Sequence, residues 1–357
     1  MGNAFIAWTP LHVINIINTA INYFPNNKND LYIYDEFSGA DKIYKKLAKM
    51  NLFRNVFKVS HKETGSVLSK GMNMLLNNQK LIVHDATYNN IFIQGGNYFS
   101  KILYGETKIN NPDVKLHYIE DGLGAYTGSP IIRLDTPAKK IVKHLNKYSM
   151  YHAPIESFYV YEPNLVMEKE NAPYFKLPKL NKQNHAFTII NDVFSIEQDA
   201  TSKKMTDKIL FFDQPFLKGG SSINEIKFVN EIKNMNTKFP ITIKFHPRSS
   251  RDKYGDVDVL ETDLPWELFC LNLELDNVYL LSIATTAAFT PYLMFGIEMP
   301  VIMLASYYLS IFNQEEENTE TIATLKNLVE FAKNYQKNTG AIIYMPNSLE
   351  ELSTLLR

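Results

Sequence analysis

Ile241-Thr242-Ile243-Lys244-Phe245-His246-Pro247-Arg248 is the stretch on which the reading of this chain turns. Alternating β-branched residues predict a buried strand. Pro247 ends it, removing the next backbone donor and steering His246 away from helical angles. The imidazole is thereby delivered to the carboxyl edge of a sheet, where open α/β folds bind their ligands. Lys244 shares a strand face with His246 and Arg248 follows, so this edge is cationic and suits a phosphorylated ligand. A satisfied histidine beside solvated lysines is the plainer alternative.

The same pattern recurs on both sides. Residues 208–212 predict a strand ending at Asp213-Gln214-Pro215, and residues 224–235 a helix. Residues 278–281, a helix through Phe295 and residues 301–304 form a further strand–helix–strand unit, with Gly296 and Pro300 marking the helix exit. Residues 321–335 are spaced as an amphipathic helix and 341–344 as a strand, while Ser348 and Glu351 suit a capping box for the last helix. Nearer the start, residues 4–8 predict a strand, Thr9-Pro10 a helix start, and residues 11–23 a helix with Val13, Ile14 and Ile17 at helical spacing. Strands follow at 31–34, 81–83, 91–93 and 114–119, with a helix over 39–49. Strands alternating with helices imply parallel sheets. Residues 177–185 are polar and aperiodic, which predicts a boundary there and domains over 1–180 and 186–357. Two doubly wound, Rossmann-like α/β domains in series predict a cleft between them, the architecture of many nucleotide-sugar transferases.

Composition sets the outer bounds. A chain of 357 residues exceeds one ordinary core, and 45% hydrophobic with 21% charged residues describes a globular protein. A net charge of −1 gives no support for nucleic acid as a partner, although a local basic edge still suits a nucleotide. Cys270 is the single cysteine, so no internal disulfide forms and a reducing, cytoplasmic compartment is favoured. No basic region precedes the first apolar stretch, and Ile6 stands where a myristoylation signal needs Ser or Thr; neither secretion nor a lipid anchor is expected. Residues 277–297 carry no charge, but Thr285-Thr286, Pro291 and Gly296 punctuate them, which disfavours a membrane span.

Chemistry can be sought at the strand ends. Glu120-Asp121-Gly122 closes the strand over 114–119, and adjacent side chains point opposite ways, so one carboxylate can face a ligand as general base while backbone donors or a cation hold the other. An acidic turn before glycine is also ordinary turn chemistry. Glu267, just inside a helix that starts near Pro265, either compensates the helix dipole or accepts hydrogen bonds from a ribose or a base amino group. Residues 282–288 lie between a strand and a helix, and Thr285, Thr286 and the small Ala287 and Ala288 leave room for a phosphate near the backbone; a simple N-cap is the alternative. Asp256-Val257-Asp258 has the form that holds a divalent metal in another class of sugar transferases, but its polar surroundings read as a surface turn. No Cys/His cluster has zinc spacing, and Gly219-Gly220-Ser221-Ser222 reads as a flexible loop. Glu315-Glu316-Glu317 reads as a solvated loop.

In order and separation, Glu120-Asp121-Gly122, His246-Pro247 and Thr285-Thr286 resemble the three short motifs of bacterial sialyltransferases: an acidic pair before glycine, His-Pro, and a Ser/Thr pair. Thr9-Pro10-Leu11 and Gln214-Pro215 narrow the likeness to glycosyltransferase family 52, the lipooligosaccharide and capsule sialyltransferases. The third motif departs from it, with Thr-Thr where serine is common. The resemblance implies a two-domain GT-B fold, an acceptor-side first domain supplying the base, and a second domain binding CMP-activated sialic acid. It implies no metal and no cofactor beyond that donor. It assigns the base to Asp121, with Glu120 as the lesser choice, and makes His246 the proton or hydrogen-bond donor to the departing phosphate. Lys244 and Glu267 would hold the cytidine and Thr285 and Thr286 the phosphate, with Gly122, Gln214 and Pro247 completing the binding set. The acceptor implied is a galactose-terminated glycan, free or lipid-linked, at the inner face of the plasma membrane. A homodimer and a peripheral hold on the membrane stay open. Two alternatives also stay open: a transferase of the same fold using another nucleotide sugar, and a non-catalytic glycan- or nucleotide-binding protein.

Overall fold

The structure is a computed structural model and describes residues 2–62, 66–76, 87–128, 131–134, 136–195, 204–214, 223–235, 237–246, 249–262, 264–272, 274–311 and 319–357. The expected strand at 81–83 and the residues Pro215, Gly219 to Ser222, Pro247, Arg248 and Glu315 to Glu317 lie outside these. The chain divides into two units, Met1–Glu197 and Gln198–Arg357.

The first unit runs β1 Asn3–Ala7, α1 Pro10–Tyr23, β2 Asn29–Tyr34, α2 Ala40–Leu47, β3 Asn55–Val59, α3 Val67–Leu76, β4 Asn90–Ile93, α4 Tyr98–Asn110, β5 Lys115–Ile119, α5 Pro137–Leu145, β6 Ile155–Val160, β7 Tyr174–Lys176 and α6 His185–Phe194. All its strands are parallel, in the order β3-β2-β1-β4-β5-β6-β7, so the topology reverses beside β1 and opens a switch point between β1 and β4. Every residue of β1 is buried, as expected of a strand covered on both faces. Phe5 stacks on Phe92 of β4 with centroids 4.4 Å apart. Burying side chains of this kind stabilises by about 1.5–3 kcal/mol each.

Helix α1 is buried from His12 to Ala20, polar residues included, and those residues are hydrogen-bonded. Asn15 donates to the Glu120 carbonyl (2.8 Å) and Asn18 to the Pro178 carbonyl (2.9 Å). Helix α6 packs on α1 and α2 with Phe187, Ile190 and Val193 buried, and Lys46 pairs with Asp192 (3.3 Å). This contact is why the division falls at Glu197/Gln198, beyond the boundary expected at residues 177–185. The polar stretch there is a loop inside the first unit, leading into a helix that belongs to it.

The second unit runs β8 Lys204–Phe212, α7 Glu225–Asn234, β9 Ile241–Lys244, β10 Asp258–Val259, α8 Trp266–Asn272, β11 Glu274–Ser282, β12 Val301–Met303, α9 Ala305–Ile311, α10 Thr319–Thr339, β13 Ile343–Tyr344 and α11 Leu349–Leu356. Its six parallel strands are ordered β10-β9-β8-β11-β12-β13, the same reversal about the first strand. Strands β8 and β11 begin earlier than their apolar runs because they continue through paired left-handed residues, Asp207 (φ 52°) and Asn277 (φ 54°), whose side chains are bonded at 2.6 Å. In α8 the Cys270 thiol is wholly buried.

The helix expected after β11 is broken instead into a three-residue 3-10 turn, Thr286–Ala288, and a wide turn, Pro291–Phe295, closed by Gly296 at φ 72°. Pro291 has no N–H to give the Ala287 carbonyl, which accepts from the Trp266 indole (2.8 Å) and the Thr290 hydroxyl (3.0 Å). At the last helix Ser348 accepts from the Glu351 N–H (3.1 Å), while Glu351 reaches back to the N–H of Asn347 (2.7 Å). No helix among the described residues is long and apolar enough to cross a membrane.

Candidate active site

In the first unit the chain leaves β5 as Glu120-Asp121 and turns on Gly122, whose φ of 68° favours glycine, into the 3-10 turn Gly122–Ala125. The two carboxylates face opposite surroundings. Glu120 is almost wholly buried, and its Oε2 accepts from the Tyr126 hydroxyl and from the Tyr161 N–H (2.8 Å). Burial pushes its carboxyl up to about 8, although those hydrogen bonds pull it down. Asp121 keeps 41% of its side chain exposed and lines a pocket of about 270 Å³ with Gln94, Gly95, Gly96, Tyr118, Arg133 and Lys139.

Asp121 also has a partner that sequence reading did not single out. The buried His12 places Nε2 at 2.8 Å from Asp121 Oδ1, and its Nδ1 accepts from the Trp8 N–H (3.3 Å). With Nδ1 occupied as acceptor, the ring proton sits on Nε2 and points at the carboxylate. Helix α1 fixes this ring: Thr9 caps it, accepting from the His12 N–H (3.2 Å), and Pro10 occupies its first turn. Oδ1 of Asp121 is thus engaged with His12 while the residue lines the pocket. His12 and Asp121 are 109 residues apart, so the only local signal was a histidine in the first turn of a helix that follows a strand end.

The second unit gathers Gln214, Lys244, His246, Glu267, Thr285 and Thr286 along the carboxyl ends of β8, β9 and β11 and the start of α8. Gln214 bridges the switch point, its Oε1 accepting from the Ala284 N–H (2.9 Å). Burial pushes the Lys244 amine down, opposed by the nearby Glu267 carboxylate; Glu267 is crowded enough for burial to push it up, opposed in turn by Lys244. Thr285 accepts from the Ala287 N–H (3.3 Å) and so caps only a short turn.

A second organiser missed in the sequence is Asp213. Its Oδ2 accepts from the His246 N–H (3.1 Å) and its Oδ1 from Lys253 (2.7 Å) and from the Tyr254 hydroxyl. Burial alone would raise this carboxyl, but those donors outweigh it and hold it below the usual range. Lys253 also pairs with the buried Glu225 (3.1 Å). The backbone at His246 is therefore held from inside the domain. Asp258 opens the edge strand β10 rather than lying in a turn, and pairs with Lys208 (3.6 Å); the Asp256 carbonyl accepts from Lys233 (2.6 Å). Among the described residues no three His, Cys, Asp or Glu are placed to hold a metal ion.

Two doubly wound parallel-sheet domains, each with polar residues at its strand ends, are the GT-B glycosyltransferase architecture. The chain belongs to the alpha-2,8-polysialyltransferase family, whose model matches residues 7–301. The sialyltransferase level of the sequence resemblance thus holds, with this family as the one matched. Among solved structures, an alpha/beta-galactoside alpha-2,3-sialyltransferase from the luminous marine bacterium Photobacterium phosphoreum is similar at 12% identity and a TM-score of 0.50, over 96% of this chain and 98% of that one. UDP-GlcNAc 2-epimerase from Neisseria meningitidis is similar at 13% identity and a TM-score of 0.51, over 99% and 98%. A transferase and an epimerase share the likeness, which therefore speaks for the fold alone. No curated protein matches the chain.

Proposed function

We propose that the protein transfers sialic acid from CMP-Neu5Ac, with inversion and without a metal, to a terminal galactose or similar sugar of a bacterial capsular polysaccharide or lipooligosaccharide. The observation that carries this reading is the exposed Asp121 carboxylate, oriented by buried His12 at a strand end in a pocket that also holds Arg133 and Lys139. Asp121 takes the proton of the acceptor hydroxyl as its oxygen bonds to the anomeric carbon. The bond from that carbon to the CMP phosphate breaks in the same displacement, so no enzyme nucleophile is needed. His246 gives a proton or hydrogen bond to the departing phosphate, and Lys244, Glu267, Thr285 and Thr286 hold the nucleotide. Acid–base assistance of this kind is worth about 10²–10⁴-fold per group. Glu120 suits the base role less, because a buried carboxyl raised to about 8 keeps its proton near neutrality.

A second acceptor reading is favoured by the same pocket and by the family's name. Arg133 and Lys139 suit an acceptor whose terminal sugar carries its own carboxylate, namely a sialylated chain end. The deciding experiment incubates the protein with CMP-Neu5Ac and either a galactoside or a sialylated galactoside, following CMP release and product mass. Turnover with either acceptor supports sialyl transfer and selects between the two. Donor binding without transfer to either would leave a binding protein, and turnover only with a UDP-sugar would place another donor on this fold.

A further inference from the structure

Helices α3 and α5 lie side by side on the first unit, and the Asn146 amide at the end of α5 donates to the Met74 carbonyl of α3 (2.6 Å). Both turn large apolar side chains outward. On α3 these are Leu68, Met72 and Leu76, spaced four apart and so on one helical stripe; on α5 they are Ile141 and Leu145, again four apart. Leu68 exposes 83% of its surface and Leu145 66%, far beyond the scattered exposure of single residues on an ordinary surface.

The charge carried by these two helices is of one sign. Lys139, Lys140, Lys143 and Lys147 fall in or just after α5, and no Asp or Glu occurs anywhere from Thr136 to Pro154. Lys70 is the only charged residue of α3. In a chain whose net charge is −1 this is a local concentration of positive charge. On α5, Lys140 and His144 lie beside the Ile141–Leu145 stripe at helical spacing, with Lys147 just past the helix end, the pattern of a helix lying in a bilayer interface with its apolar side down and its lysines among anionic headgroups. A second copy of the chain is a poor occupant. Self-pairing about a two-fold axis would set these lysines against one another with no carboxylate in the same segments to meet them.

We propose that the α3–α5 face docks the first unit on an anionic lipid bilayer. The inference does not depend on the transferase reading, because lipid binding is measured without turnover. The test is co-sedimentation with vesicles of phosphatidylcholine alone and with about a third phosphatidylglycerol, at low and high salt. The expected result is binding to the anionic vesicles only, weakened by salt. Lys140→Gln with Lys147→Gln should weaken it about tenfold or more. Leu68→Gln with Leu145→Gln should weaken it similarly, with the thermal midpoint unchanged because all four side chains are exposed. Wild-type protein that ignores anionic vesicles would overturn the proposal, as would variants that bind like wild type. So would a concentration-dependent dimer, seen by sedimentation velocity and lost in the leucine variant, in a protein that binds no vesicles.

Discussion

Asp121 and Glu120 are neighbours in the chain with opposite environments, and substitutions of each should separate chemistry from architecture. Asp121→Asn keeps the shape and the hydrogen bond from His12 but cannot take a proton; kcat should fall by at least about 10²-fold with donor affinity within a few-fold. Glu120→Gln should do less to turnover, since its side chain is turned inward to Tyr126 and Tyr161. The reverse order would move the base to Glu120. His12→Ala should lower kcat about tenfold with little change in KM, and His12→Gln should recover part of it, because its amide can donate where Nε2 does. His246→Ala should lose about 10²-fold in turnover while keeping CMP affinity, which calorimetry checks independently. The acidic pair and its place at a strand end were legible in the sequence. The partners of the pair were not, because His12 reaches Asp121 across 109 residues and Asp213 supports His246 through a backbone N–H. No local spacing encodes such contacts.

At the level of elements, the first turn of α1 is both a helix start and the mount for His12. Thr9→Ala removes the hydroxyl that caps it and should cost about 1 kcal/mol, lowering the melting midpoint of the first unit by a few degrees. It should also reduce kcat, while Thr9→Ser spares both; calorimetry alongside initial rates checks the pair. Capping and alternation make most elements readable in the sequence, since a strand buried on both faces must be apolar and a helix start needs an acceptor. Strands β3, β6, β7 and β10 were not read, and three further features escaped. The first residues of β8 and β11 are mostly polar and none of them is buried, so no hydrophobic run announces them. The break at Pro291 depends on which group the Ala287 carbonyl meets, and that is a tertiary matter. The membership of α6 rests on its packing against α1 and α2, which a polar approach segment disguised as a linker.

For the whole molecule, two buried groups of the first unit bend stability with pH in opposite directions. His117, bonded to Ser157 (2.7 Å) and Asn90 (3.0 Å) and stacked on Phe92, is lowered to about 4 by burial first and by Lys115 second. The unfolded chain binds the extra proton, so stability is present above about pH 6.5 and is lost as pH falls towards 4, by about 3 kcal/mol at most. Glu120 is raised to about 8, so its contribution is present below about pH 4.5 and is lost as pH rises through 8. Melting midpoints across pH 4 to 9 should show both limbs, with His117→Gln flattening the acid side and Glu120→Gln the alkaline side. If neither variant changes the profile, the two groups do not set it.

The buried thiol of α8 makes the second unit a clock for its own opening. Cys270 is the chain's only cysteine, and enclosure pushes its thiol well up, so an alkylating reagent finds almost no thiolate while that unit is closed. Each labelling event therefore counts one excursion of the second unit, with the first unit contributing no thiol. The two tryptophans, Trp8 and Trp266, fall one to each unit, so fluorescence after replacing either one follows the other unit alone. A protein assembled from two like halves thus carries separate reporters for each, placed by its own sequence.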